Sequence, residues 1–311
     1  MSDSSAPRWR VAARRAWHGF IRHRGIDAAA SLTFFSLLAA MPAALALVSV
    51  FAIFDDRDRA VEHLGGVLGS VLPEAVVRDL EGVVRELLSL GNPHLALLVA
   101  LALLLWTTSG YATAFGRVAN AVFEVEEGRP FWAFRGRMLL VAVALAALGA
   151  AAATVLIGGD AIPGWPIVRW PVTLVIAVLF VAVLYAFTPN VRRTRLRWVT
   201  VGSSLAILIW IVATIGFAGY AALVDHGRIY GSLGGVVVAL LWLYLTNAAL
   251  VAGIELDAET TRVRQLEKGE DAVERVRLPV RDARRIRTLR RQRAADLAAA
   301  EELRAAARDD E

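Results

Sequence analysis

The side chains that could do chemistry in this 311-residue chain are mostly hydroxyls and amides within long apolar stretches. Ser36 lies in the first such stretch, and residues 107–109 form a Thr-Thr-Ser run in the second. Asn247 is the most polar side chain of the last stretch, which ends near Glu255. Such groups can line the path of a solute, or they can bond neighbouring helices and their own backbone. The sequence alone leaves both interpretations open.

Motifs for catalysis or metal binding are absent from the sequence. There is no GxxxxGK[ST] phosphate loop, no HExxH zinc motif and no GxSxG nucleophile elbow. The chain has no cysteine, which excludes disulfides and thiolate metal sites, and its five histidines are scattered. We therefore expect no enzyme activity, no catalytic residue, no metal site and no cofactor.

The elements that must position the polar groups are long apolar helices. Six stretches lack Asp, Glu, Lys and Arg and are long enough to span, since about 20 apolar residues in a helix cross a bilayer core. They are residues 28–54, 87–116, 138–159, 170–191, 198–224 and 229–254. Apolar residues make up 57% of the chain, and its mean hydropathy is +0.53. The sequence predicts an all-α integral membrane protein with six transmembrane helices.

Two amphipathic helices are predicted between the first and second spans. Apolar residues recur at helical spacing over residues 61–71, and again over residues 76–87 after Pro73, which suits a first helical turn. We expect both helices on the extracytoplasmic side. They would either cap the bundle or pack in the headgroup plane, or they would form a mobile lid or a ramp that gathers lipid.

The distribution of positive charge predicts the orientation. Of the 34 Lys and Arg residues, 28 fall in the two tails and in the loops after the second and fourth spans. Because cytoplasmic flanks accumulate positive charge, we expect both termini in the cytoplasm. Residues 1–27 are then a basic tail, residues 28–256 the transmembrane domain, and residues 257–311 a charged tail that is partly helical or disordered.

The most basic segment is residues 275–293, which holds nine arginines and one acid, Asp282. We expect it to lie against anionic lipid headgroups at the cytoplasmic face, so membrane lipids are the predicted partners. No aromatic residues or RNA-binding motif accompany the arginines, and nucleic acid is not an expected partner. The sequence is compatible with a homo-oligomer.

Prolines, glycines and a carboxylate mark special points in the spans. Pro42 removes a hydrogen bond from the first span and should kink it. Gly231 and Gly235 form a GxxxG spacing, which predicts close packing of the last span against another helix. Glu255 lies where that helix leaves the membrane, and helix C-termini disfavour anions. We therefore expect Glu255 to have a cation partner such as an arginine.

The candidate path or packing residues are polar, small or conformationally restricted, and they lie within or beside the spans. They are Ser36, Pro42, Thr107, Thr108, Ser109, Gly110, Tyr185, Pro189, Asn190, Gly231, Gly235, Asn247 and Glu255. A continuous groove lined by Ser36, Thr107, Thr108 and Asn247 would favour transport. A tightly filled bundle would favour a scaffold.

The order of several segments resembles the YihY/BrkB family of membrane proteins. The resemblance covers residues 17–259 and rests on AAASLTFFSLLAAMP, LLLWTTSGYATAFGRVANAVFEVEEGRPFW, LYAFTPN and YGSLGGVVVALLWLYLTNAALVAGIEL. This chain has Phe34 and Phe35 where the family often has a tyrosine, and Asp257 where it favours an asparagine. The resemblance implies six spans in a bacterial inner membrane. It also implies a lipid-transport or envelope role, beside an older ribonuclease label regarded as mistaken.

Three functions follow as hypotheses. The first is transport or handling of a lipid or other amphiphile in envelope maintenance, because the bundle is uncharged and carries amphipathic appendages. The second is a non-transporting membrane scaffold for envelope assembly. The third is a membrane-tethered ribonuclease that holds RNA on its basic tail, and metal-dependent cleavage of that kind usually needs converging carboxylates or histidines.

Overall fold

The computed structural model describes residues 8–54, 93–157, 164–192, 199–223 and 234–309. Over these ranges the chain forms eight α-helices and one isolated β-bridge, so the described part confirms the all-α prediction. The helices are α1 (Arg8–Arg22), α2 (Gly25–Phe54), α3 (Pro93–Val122), α4 (Phe131–Ile157), α5 (Trp165–Phe187), α6 (Val201–Leu223), α7 (Gly234–Glu267) and α8 (Arg284–Asp309).

Five of these helices are long and apolar enough to cross a membrane. The candidate spans are Gly25–Leu47, His94–Val122, Phe131–Leu156, Ile167–Phe187 and Val237–Glu267. In α6, which corresponds to the fifth predicted span at residues 198–224, the apolar segment Val201–Phe217 is shorter, so the described residues do not by themselves confirm all six predicted spans. The two predicted amphipathic loop helices, at residues 61–71 and 76–87, lie outside the described residues.

The surfaces of these helices are apolar, as lipid contact requires. Leu140, Val175 and Ile215, on three different helices, are 73%, 58% and 68% exposed. With no water in a bilayer core, backbone groups must be satisfied within the helices, and apolar side chains can face outward at no cost. The described helices therefore fit the predicted membrane class.

The packed core is formed where α7 meets the other helices. α7 contacts α1, α2, α3 and α6, while α4 packs against α3 and α5, and α5 also contacts α3 and α6. Each of five helices contributes a fully buried side chain to one cluster, and these are Leu32, Phe115, Met138, Leu184 and Ile254. At about 1.5 Å per residue, the 34 residues of α7 extend about 51 Å. This helix therefore carries both a long apolar segment and the charged residues near its C-terminal end.

Helical structure extends into both predicted tails. α1 forms within residues 1–27 because Ala12, Ala16 and Gly19, spaced at i, i+4 and i+7, give it a small, buried face against α7. α7 runs through residue 256, the predicted end of the membrane domain, and continues to Glu267. α2 also continues past Pro42, which lies half-buried inside it.

Candidate functional site

A buried hydrogen-bond cluster, which we call the polar node, joins α2, α3 and α7. It consists of Thr33, Ser36, Tyr111 and Asn247. The Tyr111 hydroxyl donates to Asn247 Oδ1 at 2.9 Å. Asn247 Nδ2 lies 3.2 Å from Ser36 Oγ, 3.3 Å from Thr33 Oγ1 and 2.9 Å from the Leu243 carbonyl oxygen. The predicted residues Ser36 and Asn247 are thus brought together, with two partners that sequence reasoning did not name.

The polar node is fully satisfied. Thr33 and Ser36 donate their hydroxyl protons to the carbonyls of Ala29 and Leu32, at 2.8 Å and 2.9 Å. Their oxygens are therefore left as acceptors for the Asn247 amide, whose own oxygen accepts from Tyr111. The arrangement links α2, α3 and α7, and both the oxygen and the nitrogen of the Asn247 amide are hydrogen-bonded to protein atoms.

The hydroxyl run of α3 is bonded to its own helix. Thr107 Oγ1 donates to the Leu103 carbonyl at 2.8 Å, and Ser109 Oγ donates to the Trp106 carbonyl at 2.7 Å. Thr108 is buried, and in the described part of the chain no hydrogen bond joins these side chains to the polar node. In that part of the chain, Thr107 and Thr108 are therefore not hydrogen-bonded to Ser36 or Asn247, with which they were predicted to line a groove.

Two glycines allow the helices to approach closely. A Cβ added at Gly110 would already contact the Phe35 ring at 3.4 Å. A Cβ added at Gly253 would lie 2.6 Å from the Gly202 carbonyl oxygen and 2.5 Å from the Tyr185 hydroxyl, so α6 and α7 touch backbone to backbone. The spacing Ala249-x-x-x-Gly253 could have indicated this contact.

The GxxxG spacing of Gly231 and Gly235 predicts close packing at the N-terminal end of α7, whereas Gly253 lies towards its other end. Gly231 lies outside the described residues, and Gly235 lies in the first turn of α7. Tyr185, a predicted residue, belongs instead to the Gly253 contact. Its hydroxyl donates to the Leu250 carbonyl at 2.6 Å, and its ring stacks on Phe115 with a centroid distance of 5.7 Å.

Around the end of α7, side chains from α1, from the turn after α1 and from the loop after α3 form a charged layer, which consists of Arg15, His23, Glu124, Glu255, Glu259 and Arg262. The three α7 members are spaced at i, i+4 and i+7 and therefore share one face. His23 Nδ1 lies 2.7 Å from Glu255 Oε1, and Arg15 Nε donates to Glu259 Oε2 at 2.8 Å. The side chain that contacts Glu255 is therefore a histidine in the turn between α1 and α2, whereas an arginine was our example of the expected cation partner.

Arg262 connects the charged layer to the loop between α3 and α4. Its Nη2 donates to Glu124 Oε1 at 3.2 Å, and its Nε lies 3.5 Å from Glu259 Oε1. Glu255 and Arg262 are each only 1% exposed. Charges buried this deeply persist when paired, and losing one partner is costly. A Cβ at Gly19 would lie 2.6 Å from Glu255 Oε2, so the glycine lets α1 approach this carboxylate without displacing it.

Asp257 lies on α7 among the residues of the charged layer and bonds the start of α6. Its Oδ1 accepts a hydrogen bond from the Gly202 backbone N–H at 3.0 Å. Thr200 and Ser203 bond each other reciprocally at the same helix start, through Ser203 N to Thr200 Oγ1 and Thr200 N to Ser203 Oγ. A carboxylate near a helix N-terminus is favourable. An asparagine at position 257, as in the family pattern, has the same acceptor oxygen.

A second polar assembly, the tail clasp, holds the segment that follows α7. It consists of Asn120, Glu127, Arg129, Asn190 and Asp282. The Asn190 backbone N–H donates to Asn120 Oδ1 at 2.7 Å, and Asn190 Nδ2 donates to the Asp282 carbonyl at 2.9 Å. Asp282 N–H returns a bond to Asn190 Oδ1 at 3.1 Å. Pro189 and Asn190, predicted as helix-exit signals, are buried here.

Glu127 and Arg129 form the charged pair of the tail clasp. Arg129 Nε and Nη2 donate to the two Glu127 oxygens at 2.7 Å and 2.6 Å, and Nη2 also donates to the Thr188 carbonyl at 2.8 Å. Burial alone would raise the pKa of Glu127, but the hydrogen bonds and charge of Arg129 outweigh it and lower the pKa below 4.5. Glu127 is therefore held as a carboxylate.

Backbone contacts complete the tail clasp. Val191 and Val280 form the antiparallel bridge, and Arg192 N–H donates to the Pro279 carbonyl at 2.8 Å. At Asp282, hydrogen bonds from the Arg284 side chain and backbone lower the carboxyl pKa to about 2. The segment predicted as a partly helical or disordered tail is thus docked against the end of α5 before α8 begins.

A groove of about 710 Å³ lies between α1, α6 and α7. One stripe from each helix forms its wall. These stripes are Trp9, Ala13, Trp17 and Phe20 from α1, Val201, Leu205 and Ile209 from α6, and Ala252, Leu256 and Thr260 from α7. At one end the lining becomes charged, with Arg8, Arg264 and Glu267. In the described ranges no group of three or more His, Cys, Asp and Glu side chains could hold a metal ion.

The sequence profile of a family described as virulence factor BrkB matches residues 16–278. The chain belongs to the virulence factor BrkB family. The resemblance to the YihY/BrkB proteins is thereby confirmed. The match covers the polar node and most of the charged layer and tail clasp, whereas Arg15 lies before its start and Asp282 and α8 lie beyond its end.

Individual BrkB-family relatives carry different names. The chain is 25% identical over 252 residues to the ribonuclease-like protein YfkH of Bacillus subtilis, which covers 76% of this chain and 90% of YfkH. It is 27% identical over 247 residues to the UPF0761 membrane protein Mpe_A1422 of Methylibium petroleiphilum, which covers 74% of this chain and 57% of that protein. A UPF0761 membrane protein of Stenotrophomonas maltophilia is 24% identical over 263 residues, 81% of this chain and 61% of that protein.

This BrkB-family chain thus spans about three fifths of the length of the two UPF0761 relatives. No solved structure matches it. The names of the relatives describe membrane proteins in two cases and a ribonuclease-like protein in the third, and none of them names a substrate.

Proposed function

We propose that this BrkB-family chain is a six-span protein of the bacterial inner membrane with both termini in the cytoplasm. Five described helices are long enough to span, and α6 supplies an apolar segment for the remaining predicted span, at residues 198–224. α1 packs along the end of α7, through pairs such as Arg15 with Glu259. An even number of spans requires the two chain ends to lie on the same side, and this contact supports that.

Its proposed function is to bind and move a lipid or other amphiphile in envelope maintenance. The observation that carries this proposal is the groove between α1, α6 and α7. Its wall on α6, from Val201 to Ile209, belongs to the apolar segment that we assign to the predicted span at residues 198–224. A groove that is apolar along its length and basic at one end suits an amphiphile better than a polar solute.

Lipid movement is tested with the full chain in proteoliposomes that contain fluorescent phospholipid. Purified protein should speed flipping above empty vesicles, and Ala252→Phe, which fills the groove floor, should remove that acceleration. Ala147→Phe makes the same change on an exposed position of α4 and should leave it intact. Equal rates with and without protein, across several lipid classes, would refute the transport role.

The proposed topology has its own test, because the chain has no native cysteine. Single cysteines can be placed at Arg14, on α1, and at Asp160, in the loop that follows the third predicted span. A membrane-impermeant maleimide should label position 160 in intact spheroplasts and position 14 only after permeabilisation. Labelling of position 14 in sealed spheroplasts would reverse the orientation.

A non-transporting scaffold is the second candidate, and the polar node favours it. Asn247 is held by side chains from two other helices, and the α3 hydroxyls bond their own backbone. Such a satisfied interior stabilises one arrangement and opens no polar path. Lack of lipid movement, together with a stable cross-linked partner in cells, would select this function.

The ribonuclease hypothesis is the remote third candidate, and it is supported by the name of YfkH. In the described part of the chain, the carboxylates of the charged layer are each paired with Arg15, His23 or Arg262. RNA cleavage by the purified protein that disappears on Glu255→Gln would be needed to favour this function.

A further inference from the structure

We propose that the α1–α6–α7 groove binds an acyl chain of an anionic phospholipid, and that Arg264 and Arg8 bind its phosphate while Glu267 competes for Arg8. This proposal rests on the amphiphile-handling function and names the class of lipid. It assigns the apolar part of the groove to the chain and the charged end to the headgroup. Each part follows from a different set of contacts.

The length and lining of the groove suit a hydrocarbon chain. Along α1, the lining runs from Arg8 to Phe20, about 18 Å at the rise of an α-helix. Half of a bilayer core, the depth that one acyl chain fills, is about 15 Å. Small side chains at Ala13 and Ala252 keep the groove open between the larger walls.

The position of the groove is suited to the membrane interface. Trp9 and Trp17 lie two helical turns apart on the α1 wall and are both more than half exposed. Tryptophans concentrate at the level of lipid headgroups because the ring is apolar and its N–H is polar. On another face of α1, Arg10 and Arg14 are also exposed. The helix therefore has an apolar stripe beside a basic stripe, as interfacial helices do.

The charged end of the groove favours an anion. Arg264 is exposed, and among the described residues it makes no ion pair. Arg8 is 81% exposed at its side chain and bonds Glu267 through Nε at 2.7 Å. Two arginines, Arg8 and Arg264, and one carboxylate, Glu267, give the charged end of the groove, its mouth, a net positive charge. α1 begins where α7 ends, so the positive dipole end of α1 and the negative dipole end of α7 offset each other there. The charged side chains therefore determine the sign of the net charge at this end of the groove.

Glu267 gives this site a built-in competitor. When the groove is empty, its carboxylate holds Arg8 across the mouth. A phosphate that enters must replace this carboxylate on Arg8, whose guanidinium can bind either group. Removing the Glu267 charge should therefore strengthen binding of an anionic lipid, which a merely structural ion pair would not predict.

Lipid binding to the purified full chain can be measured by native mass spectrometry at graded lipid concentrations. Phosphatidylglycerol should bind more tightly than phosphatidylcholine of the same chain length. Arg264→Gln or Arg8→Gln should weaken phosphatidylglycerol binding about fivefold, and Glu267→Gln should strengthen it by a similar factor. Arg14→Gln removes an exposed charge from α1 away from the groove and should change nothing. All four side chains are at least partly exposed, so these variants should fold.

The chain-binding part of the proposal has separate arms. Ala252→Phe should abolish binding of both lipids, and Ala147→Phe should not. Inorganic phosphate alone should not displace phosphatidylglycerol, since it lacks the acyl chain. Equal affinity for the two lipids with unchanged arginine variants would overturn the headgroup assignment, and normal binding by Ala252→Phe would overturn the groove.

The same preparations separate this proposal from the proposed function. Lipid flipping that persists without selective binding in the groove would refute the lipid site and leave transport in place. Selective binding without any flipping would keep the site and refute transport, leaving a scaffold that is regulated or anchored by lipid.

Discussion

The backbone of α6 at Gly202 lies directly against the backbone of α7 at Gly253, because a Cβ on Gly202 would overlap the Gly253 carbonyl oxygen. One turn further along α7, Asp257 accepts the Gly202 N–H, and Tyr185 reaches the same crossing from α5. In lipid, where apolar burial gives helices no advantage, such backbone contact is a main source of packing energy. The crossing therefore fixes the height of α7 relative to α6, and with it one wall of the groove.

Gly253→Ala should destabilise the protein by about 1–3 kcal/mol, the usual cost of overpacking. The added methyl would meet the Gly202 carbonyl oxygen at 2.6 Å, and both groups belong to rigid helices. The free energy of unfolding can be measured by SDS titration in mixed micelles. Gly216→Ala is the matched control, since a Cβ there meets nothing within 4 Å in the described residues of the same helix pair. Stability of Gly253→Ala equal to that of Gly216→Ala would contradict the close crossing.

The polar node should behave as a coupled unit. Tyr111→Phe removes the donor to Asn247 Oδ1 and should cost about 0.6–1.7 kcal/mol, as interhelical hydrogen bonds do in membranes. Asn247→Leu should cost about 1–3 kcal/mol because it also leaves the buried Tyr111 hydroxyl without its acceptor. The double variant should lose less than the sum of the two single losses. Full additivity in the same unfolding assay would show that the bond does not matter.

Thr107→Ala is the control for the polar node. Its hydroxyl bonds carbonyls of its own helix, so its loss should change stability by less than about 0.5 kcal/mol. A large loss would mean that Thr107 has a role outside its helix, as the predicted substrate path required.

The helices were predictable because hydropathy is local, whereas their ends were not. The second span was predicted to end at residue 116, but α3 continues through Arg117 to Val122. It does so because Ala119 and Val122 are buried on one face while Arg117 points outward. A search for stretches without charged residues cannot detect this, because one exposed charge ends the stretch but does not end the helix.

The site was only half predictable for a related reason. Asn247 and Glu255 were identifiable as polar groups in apolar surroundings. Their partners lie far away in the chain, with His23 separated from Glu255 by 232 positions and Tyr111 from Asn247 by 136. No local pattern in the sequence encodes such pairs. The spacing of Glu255, Glu259 and Arg262 on one helical face was the one local signal that could have indicated a partner helix.

Variants at Asp257 can test whether the start of α6 requires the aspartate that this chain has in place of the family's asparagine. Asp257→Asn keeps the acceptor for Gly202 N–H and loses only the charge at the α6 N-terminus, about 0.3–1 kcal/mol. Asp257→Leu also leaves that buried N–H unpaired, and the total should reach about 2–4 kcal/mol. Thermal unfolding in detergent would rank the variants. Equal loss in both would show that the charge, and not the hydrogen bond, is what α6 requires.

The tail clasp should loosen in acid through Glu127. Its pKa is lowered in the folded protein, so its carboxylate stabilises the clasp fully above its ordinary value of 4.5, and this contribution is lost as pH falls through the lower, folded value. Amide exchange of residues 188–192 and 279–285, corrected for the intrinsic rate at each pH, should therefore show less protection below about pH 4.5. Glu127→Gln should reduce protection already at pH 7 and flatten this pH dependence. Glu270→Gln, at an exposed position of the same tail, should retain it. A clasp that stays fully protected to pH 3 would show that its backbone bonds, such as Asp282 N–H to Asn190, suffice without the charged pair.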